Sequence, residues 1–146
     1  MATIEGHEYP EHLLYDIENQ IWYELLPDGT IRTGFTPLAM SLAGDVLVFT
    51  PKRLGKDFER NRWFATIECG KWVGSARAAF DGVVVSQNEE LIRRPGLLNS
   101  DAFGKGWMLT VRPATADWRN RLVTGASVAE AFACWLASEA YKDRAE

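Results

Sequence analysis

Two cysteines and two histidines are all that this 146-residue chain has of the side chains most given to holding metals. Cys69 and Cys134 stand too far apart for a disulfide framework or a zinc site, and His7 and His12 both fall in a polar opening stretch, so no metal is expected. No apolar run approaches the length that spans a bilayer. The opening M-A-T-I-E-G-H-E-Y-P has neither the basic nor the apolar region of a targeting segment, so a cytoplasmic protein with no membrane partner is the expectation. Positive charge is scarce too. Sixteen Lys and Arg against 20 Asp and Glu give a formal net charge of -4 with no basic face, which argues against nucleic acid as a partner. A catalytic triad is not evident, and Gly104-Lys105-Gly106 lacks the spacing of a phosphate-cradling loop.

What is present is an ordinary core: 47% hydrophobic and 25% charged residues suit one domain. Residues 1-12, polar and carrying Pro10, read as a loose leader. A short apolar segment from Leu13 to Ile17 precedes I-W-Y-E-L-L, and Asp28-Gly29 before T-I-R-T-G-F marks a hairpin. Thr36 and Pro37 supply a cap and a first-turn proline for a helix of about two turns that Gly44 closes. D-V-L-V-F-T then reads as a continuous apolar strand ended by Pro51, and a charged connection follows. Asp81-Gly82 turns into V-V-V-S-Q, Asn88 caps a short helix stopped by Pro95-Gly96, and a loop through Asn99 and Gly106 returns to the strand W-M-L-T-V-R. Many short strands with glycine-rich turns predict a mainly β barrel or sandwich. Residues 114-126 link it to a terminal helix whose Ser127 to Glu130 fits a capping box. Val128, Ala131, Phe132, Trp135 and Leu136 make its apolar stripe, which either docks on the barrel or meets a partner.

The segment R-W-F-A-T-I-E-C-G-K-W-V-G-S-A-R-A-A-F-D-G, Arg62 to Gly82, organises the rest. Its left half alternates, with Trp63, Ala65, Ile67 and Cys69 on one side and Phe64, Thr66 and Glu68 on the other. Gly70 then allows the positive φ of a type II′ turn, leaving Lys71 at the tip of a stiff ribbon. Such a lysine is either placed to be reached or simply solvated. Cys69 reads as a small buried hydrophobe rather than a reactive thiol, since nothing nearby lowers its pKa.

Taken with what surrounds it, this ribbon resembles that of the H proteins of the glycine cleavage system, in the lipoyl-carrier family. The resemblance rests on G-F-T-P-L-A near Gly34, the turn Ala43 to Asp45, Glu68 before and Gly82 after Lys71, V-V-V-S-Q-N-E, L-L-N-S-D, G-K-G-W and Pro113. It covers roughly residues 14-113 and assigns 13-113 to the carrier domain, leaving 114-146 as linker and amphipathic helix. It implies a flattened β-sandwich or barrel of the barrel-sandwich hybrid type with short helices. It implies, too, that lipoic acid is joined to Lys71 by an amide bond, and that Glu68 and Gly82 are recognised by the lipoylating enzyme. The chain would be a carrier with no catalytic residue of its own, the chemistry belonging to the arm.

Departures from the H-protein pattern lie beside the lysine, where C-G-K-W-V-G-S-A replaces the usual neighbours. The G-K-W-V-G run is similar to H-like lipoate-binding proteins of the bacterial sulfur-oxidising pathway, whose partner is a heterodisulfide-reductase-like complex. That similarity favours an arm carrying sulfur intermediates over one carrying an aminomethyl group between glycine cleavage enzymes. Trp72 would pack on a cross-strand neighbour or touch the arm or a partner. The competing readings are an H-like module that is never lipoylated and a relay passing lipoate to other carriers. Biotin fits less well, because biotin carriers flank their lysine with methionines.

Overall fold

The computed structural model describes residues 2-4, 6-70, 73-124 and 127-137, with backbone alone for 2-4, 135 and 136. The stretch expected as a loose leader is, over those residues, a two-stranded ribbon of β1 (Ala2–Ile4) and β2 (His7–Tyr9). Tyr9 ties it down: the ring is buried, and the hydroxyl oxygen accepts a 3.1 Å hydrogen bond from the Leu38 amide. Polarity suggested disorder here because Tyr9's packing partners lie far away in sequence.

β3 (Leu14–Asp16), β4 (Ile21–Leu25) and β5 (Ile31–Phe35) follow as an antiparallel meander. Asp28-Gly29 closes its second hairpin as expected, with Gly29 at a φ of 86° and the Asp28 carboxylate accepting from both the Thr30 amide and hydroxyl. The helix α1 (Pro37–Ala43) starts where predicted: Thr36 Oγ1 accepts from the Ala39 amide, and the Gly44 amide closes on the Met40 carbonyl. Then come β6 (Val46–Pro51), β7 (Asp57–Phe58), β8 (Trp63–Cys69), β9 (Val73–Arg77) and β10 (Gly82–Gln87).

Asn88 begins α2 (Glu89–Arg93) by accepting from the Leu91 amide, while its Nδ2 donates to the Lys105 and Trp107 carbonyls at 2.8 Å each. A single-turn helix, α3 (Leu97–Ser100), stands where only a loop was expected. β11 (Leu109–Pro113), β12 (Val123–Thr124) and α4 (Val128–Ala137) complete the chain.

Two main sheets result, one of seven strands in the order β12-β3-β4-β5-β11-β10-β7 and one of three, β6-β8-β9. Neither closes into a barrel, and the architecture is the flattened mainly β type with short helices and a C-terminal helix. The larger core fills the space between them with Ile21, Tyr23, Ile31, Val84 and Val111 from one and Phe49, Ala65, Ile67 and Ala76 from the other. Strand alternation then creates a second core. Tyr15 and Trp22 face the opposite side of β3 and β4, where they meet Tyr9, Leu38, Val128 and Phe132. α4 therefore docks on the sheet through Val128 and Phe132, the former of its two expected roles; the side chains of Trp135 and Leu136 lie outside the described residues. Residues 114-124 are anchored as well, by the buried Trp118 against Phe80 and by the pairing of β12 with β3.

Candidate functional site

β8 is the middle strand of the small sheet, and its alternation faces Ala65, Ile67 and Cys69 inward and Thr66 and Glu68 outward. The sequence pattern fails at the start of the strand. A bulge between Trp63 and Ala65 adds one residue, so Phe64 is fully buried against Phe58 while Trp63 is 44% exposed. Trp63 is turned to solvent with the Lys52 ammonium 4.6 Å from its ring centroid. A simple period of two assigned these two aromatics to the wrong faces, because the extra residue is visible only in the pairing.

Toward the other end the register is Thr66↔Ser75, Ile67↔Gly74 and Glu68↔Val73. The chain reverses between Glu68 and Val73. Gly70 is exposed there, with nothing within 4 Å of the position a Cβ would take. It lacks the positive φ that a type II′ turn demands, so that expected turn type is corrected. Lys71 and Trp72, the expected acceptor and its aromatic neighbour, lie outside the described residues.

Glu68 is described and sits where the sequence put it, exposed on the last paired row of the ribbon with no ion pair among the described residues. Gly82 is not at that end. It lies past the base of the ribbon, where Ala78 bonds to Arg62 and Arg60 to Asp81, and it pairs with both Phe58 and Pro113. A Cβ on Gly82 would fall 2.6 Å from the Arg112 carbonyl oxygen and 2.8 Å from Phe58 Cζ, so glycine is required for β10 to start between its neighbours. The structure thus separates the two residues expected to act together in recognition.

Cys69 is buried and unpaired, and burial pushes its thiol up from the ordinary range. That is the inert cysteine expected from its place on the inner face. Cys134 is free and exposed on α4. Among the described residues no cluster of three or more His, Cys, Asp or Glu could hold a metal ion. No described helix is long and apolar enough to cross a membrane.

Sequence reasoning missed the setting of Glu68. A bulge between Val46 and Val48 makes Leu47 an extra residue in β6, and Leu47 and Val48 are both exposed. Glu68 is therefore directly opposite Val48 on one side and Val73 on the other. The D-V-L-V-F-T run looked like a buried strand because its two outward apolar residues are a product of the bulge.

The model of the family described as Glycine cleavage H-protein matches residues 13–133. The chain belongs to the glycine cleavage H-protein family. H proteins of this family are carriers rather than enzymes and hold a lipoyl group covalently. The chain is 37% identical over 132 residues to "Glycine cleavage system H protein 5" of Aquifex aeolicus, covering 88% of this chain and 89% of that one. It is 35% identical over 129 residues to "Probable glycine cleavage system H protein 2" of Sulfurisphaera tokodaii, with 87% of each covered. Its fold is similar to the crystal structure of a glycine cleavage system H protein from Mycobacterium marinum, with a TM-score of 0.74 at 24% identity over 84% of this chain and 97% of that one. The H-protein match runs past Pro113, so the family pattern includes the Trp118 segment and the start of α4.

Proposed function

We propose that this H protein is a cytoplasmic carrier whose Lys71 receives lipoic acid and presents the resulting arm to partner enzymes. The observation that carries the reading is the ribbon end. β8 and β9 lead into the segment whose sequence holds Lys71, with Glu68 exposed on their last paired row, free of ion pairs among the described residues, and open space around Gly70. Such an end suits a group that must leave the surface and swing, since no described side chain walls in the residue just before the lysine. Bound there, the lipoyl group supplies a cyclic disulfide that carries the transferred fragment. The chain's own part is to hold the lysine amine clear of the core, so that its nitrogen forms an amide with the activated lipoyl carboxyl carbon, sheds a proton and displaces the activating group, whose bond to that carbon breaks. The same bond removes the lysine's charge.

Glu68 is the recognition contact for the lipoylating enzyme in this account. Gly82 contributes through the fold, seating β10 beneath the ribbon that holds Glu68 at its far end. Trp72 borders the arm or the partner that handles it. The names of the relatives favour glycine cleavage enzymes as partners over a heterodisulfide-reductase-like complex. The sulfur-oxidation reading keeps one observation on its side, the Gly70 to Gly74 run, in which Trp72 puts a large ring beside the lysine.

Intact mass of the protein from a lipoate-competent host tests the carrier reading. One lipoyl increment, absent in Lys71→Arg, is expected; an unmodified wild-type chain overturns it. Loading of the purified lipoylated protein by a pyridoxal-phosphate glycine decarboxylase then separates the branches, with failure to load favouring sulfur chemistry.

A further inference from the structure

Among the described residues eight large hydrophobic side chains stand out in solvent, and three of them gather around one carboxylate at one end of the small sheet. Leu47 is 61% exposed, Val48 42% and Val73 68%. Val48 and Val73 are the direct cross-strand partners of Glu68, so the three side chains share the outward face in one row. The β6 bulge adds Leu47 to the same end. Glu68 has no ion pair among the described residues to neutralise it. An exposed carboxylate framed by uncovered apolar surface has a specific complement: a side chain with an apolar stem and a cationic head. Neither an acidic surface nor a purely apolar one satisfies both halves.

We infer that Leu47, Val48, Glu68 and Val73 form a seat for one long basic side chain of the lipoylating enzyme, its stem on the aliphatic residues and its charged head on Glu68. This rests on the carrier reading above and adds to it the three aliphatic residues and the sign of the partner's charge. The lipoylating enzyme is the occupant because of geometry. An enzyme that acylates Lys71 must bring its acyl donor to the lysine nitrogen itself, two residues from Val73 and three from Glu68. The seat also accounts for the exposure of Leu47, Val48 and Val73, which the core does not require.

The test is steady-state lipoylation of the purified, unmodified chain by a lipoate–protein ligase that accepts the wild type, with lipoate and ATP, followed by intact mass. Glu68→Arg and the pair Val48→Ser/Val73→Ser are each expected to raise KM for the carrier by about tenfold, the usual scale for truncating an interface anchor, with kcat held within about twofold. Leu25→Ser, an equally exposed position on the large sheet, leaves KM unchanged. Thermal midpoints confirm folding, and Leu47→Ser, on the bulge and outside the paired register, replaces the valine pair if that variant unfolds. Wild-type KM in the folded variants, or a loss confined to kcat, overturns the seat and leaves the carrier reading standing. A wild-type chain that no lipoylating enzyme modifies overturns both.

Discussion

Cys69 stands two positions from the expected attachment lysine, yet it is buried. Its side chain is on the inner face of β8, and burial raises its thiol pKa, so at pH 8 little thiolate is available and reagents reach it poorly. Cys134 is exposed. Iodoacetamide at that pH is therefore expected to label Cys134 promptly and Cys69 only after denaturant is added, as peptide mapping will report; equal labelling of the folded protein contradicts the inner placement. Inward and outward residues were largely legible in this strand, since Ala65, Ile67 and Cys69 follow a period of two. Trp63 and Phe64 were not, because a bulge is a property of two strands and leaves no mark in one. Gly82 illustrates a related gap. The resemblance names it beside Glu68 in recognition, and its surroundings add a need that the sequence did not show, a glycine required by the closeness of Arg112 and Phe58.

Elements bounded by their own residues could be read almost completely. Thr36, Pro37 and Gly44 mark α1 because caps act within one turn of the helix they start or stop. Asn88 does more than the sequence suggested. It caps α2 and also bonds the carbonyls of Lys105 and Trp107, joining the helix to the loop that feeds β11. Replacing it with alanine removes a cap and strands two partly buried acceptors, so Asn88→Ala is expected to cost about 2-3 kcal/mol in urea unfolding. Thr36→Ala, which disturbs one cap and one bond to Gln20, is expected to cost about half as much. Similar losses in the two variants contradict the bridging role. The β1–β2 ribbon and α3 escaped notice for the opposite reason: short elements with weak periodicity are stabilised by what they pack against.

At the scale of the molecule, the large sheet is covered on both faces where β3 and β4 run, by the main core and by the cluster under α4. Phe132 is fully buried there, 4.9 Å from the Tyr9 ring. Phe132→Ala is expected to cost about 3-5 kcal/mol and to loosen β2 as well as α4, seen as early amide exchange at residues 7-9. The terminal helix and its docking on the β framework were legible from its stripe, but the residues it meets were not, since Tyr9, Tyr15 and Trp22 reach it from strands read separately.

Among the described residues the small sheet enters a core through its inner face alone, and of the five residues of β9 only Ala76 is buried, against three of five in β4. Anchorage is therefore spent unequally: thick laminate beneath the terminal helix, a thin cantilever at the end that leads to Lys71. A load taken at the free end of such a beam falls on one layer of packing, whereas one taken at the clamped end is shared between two.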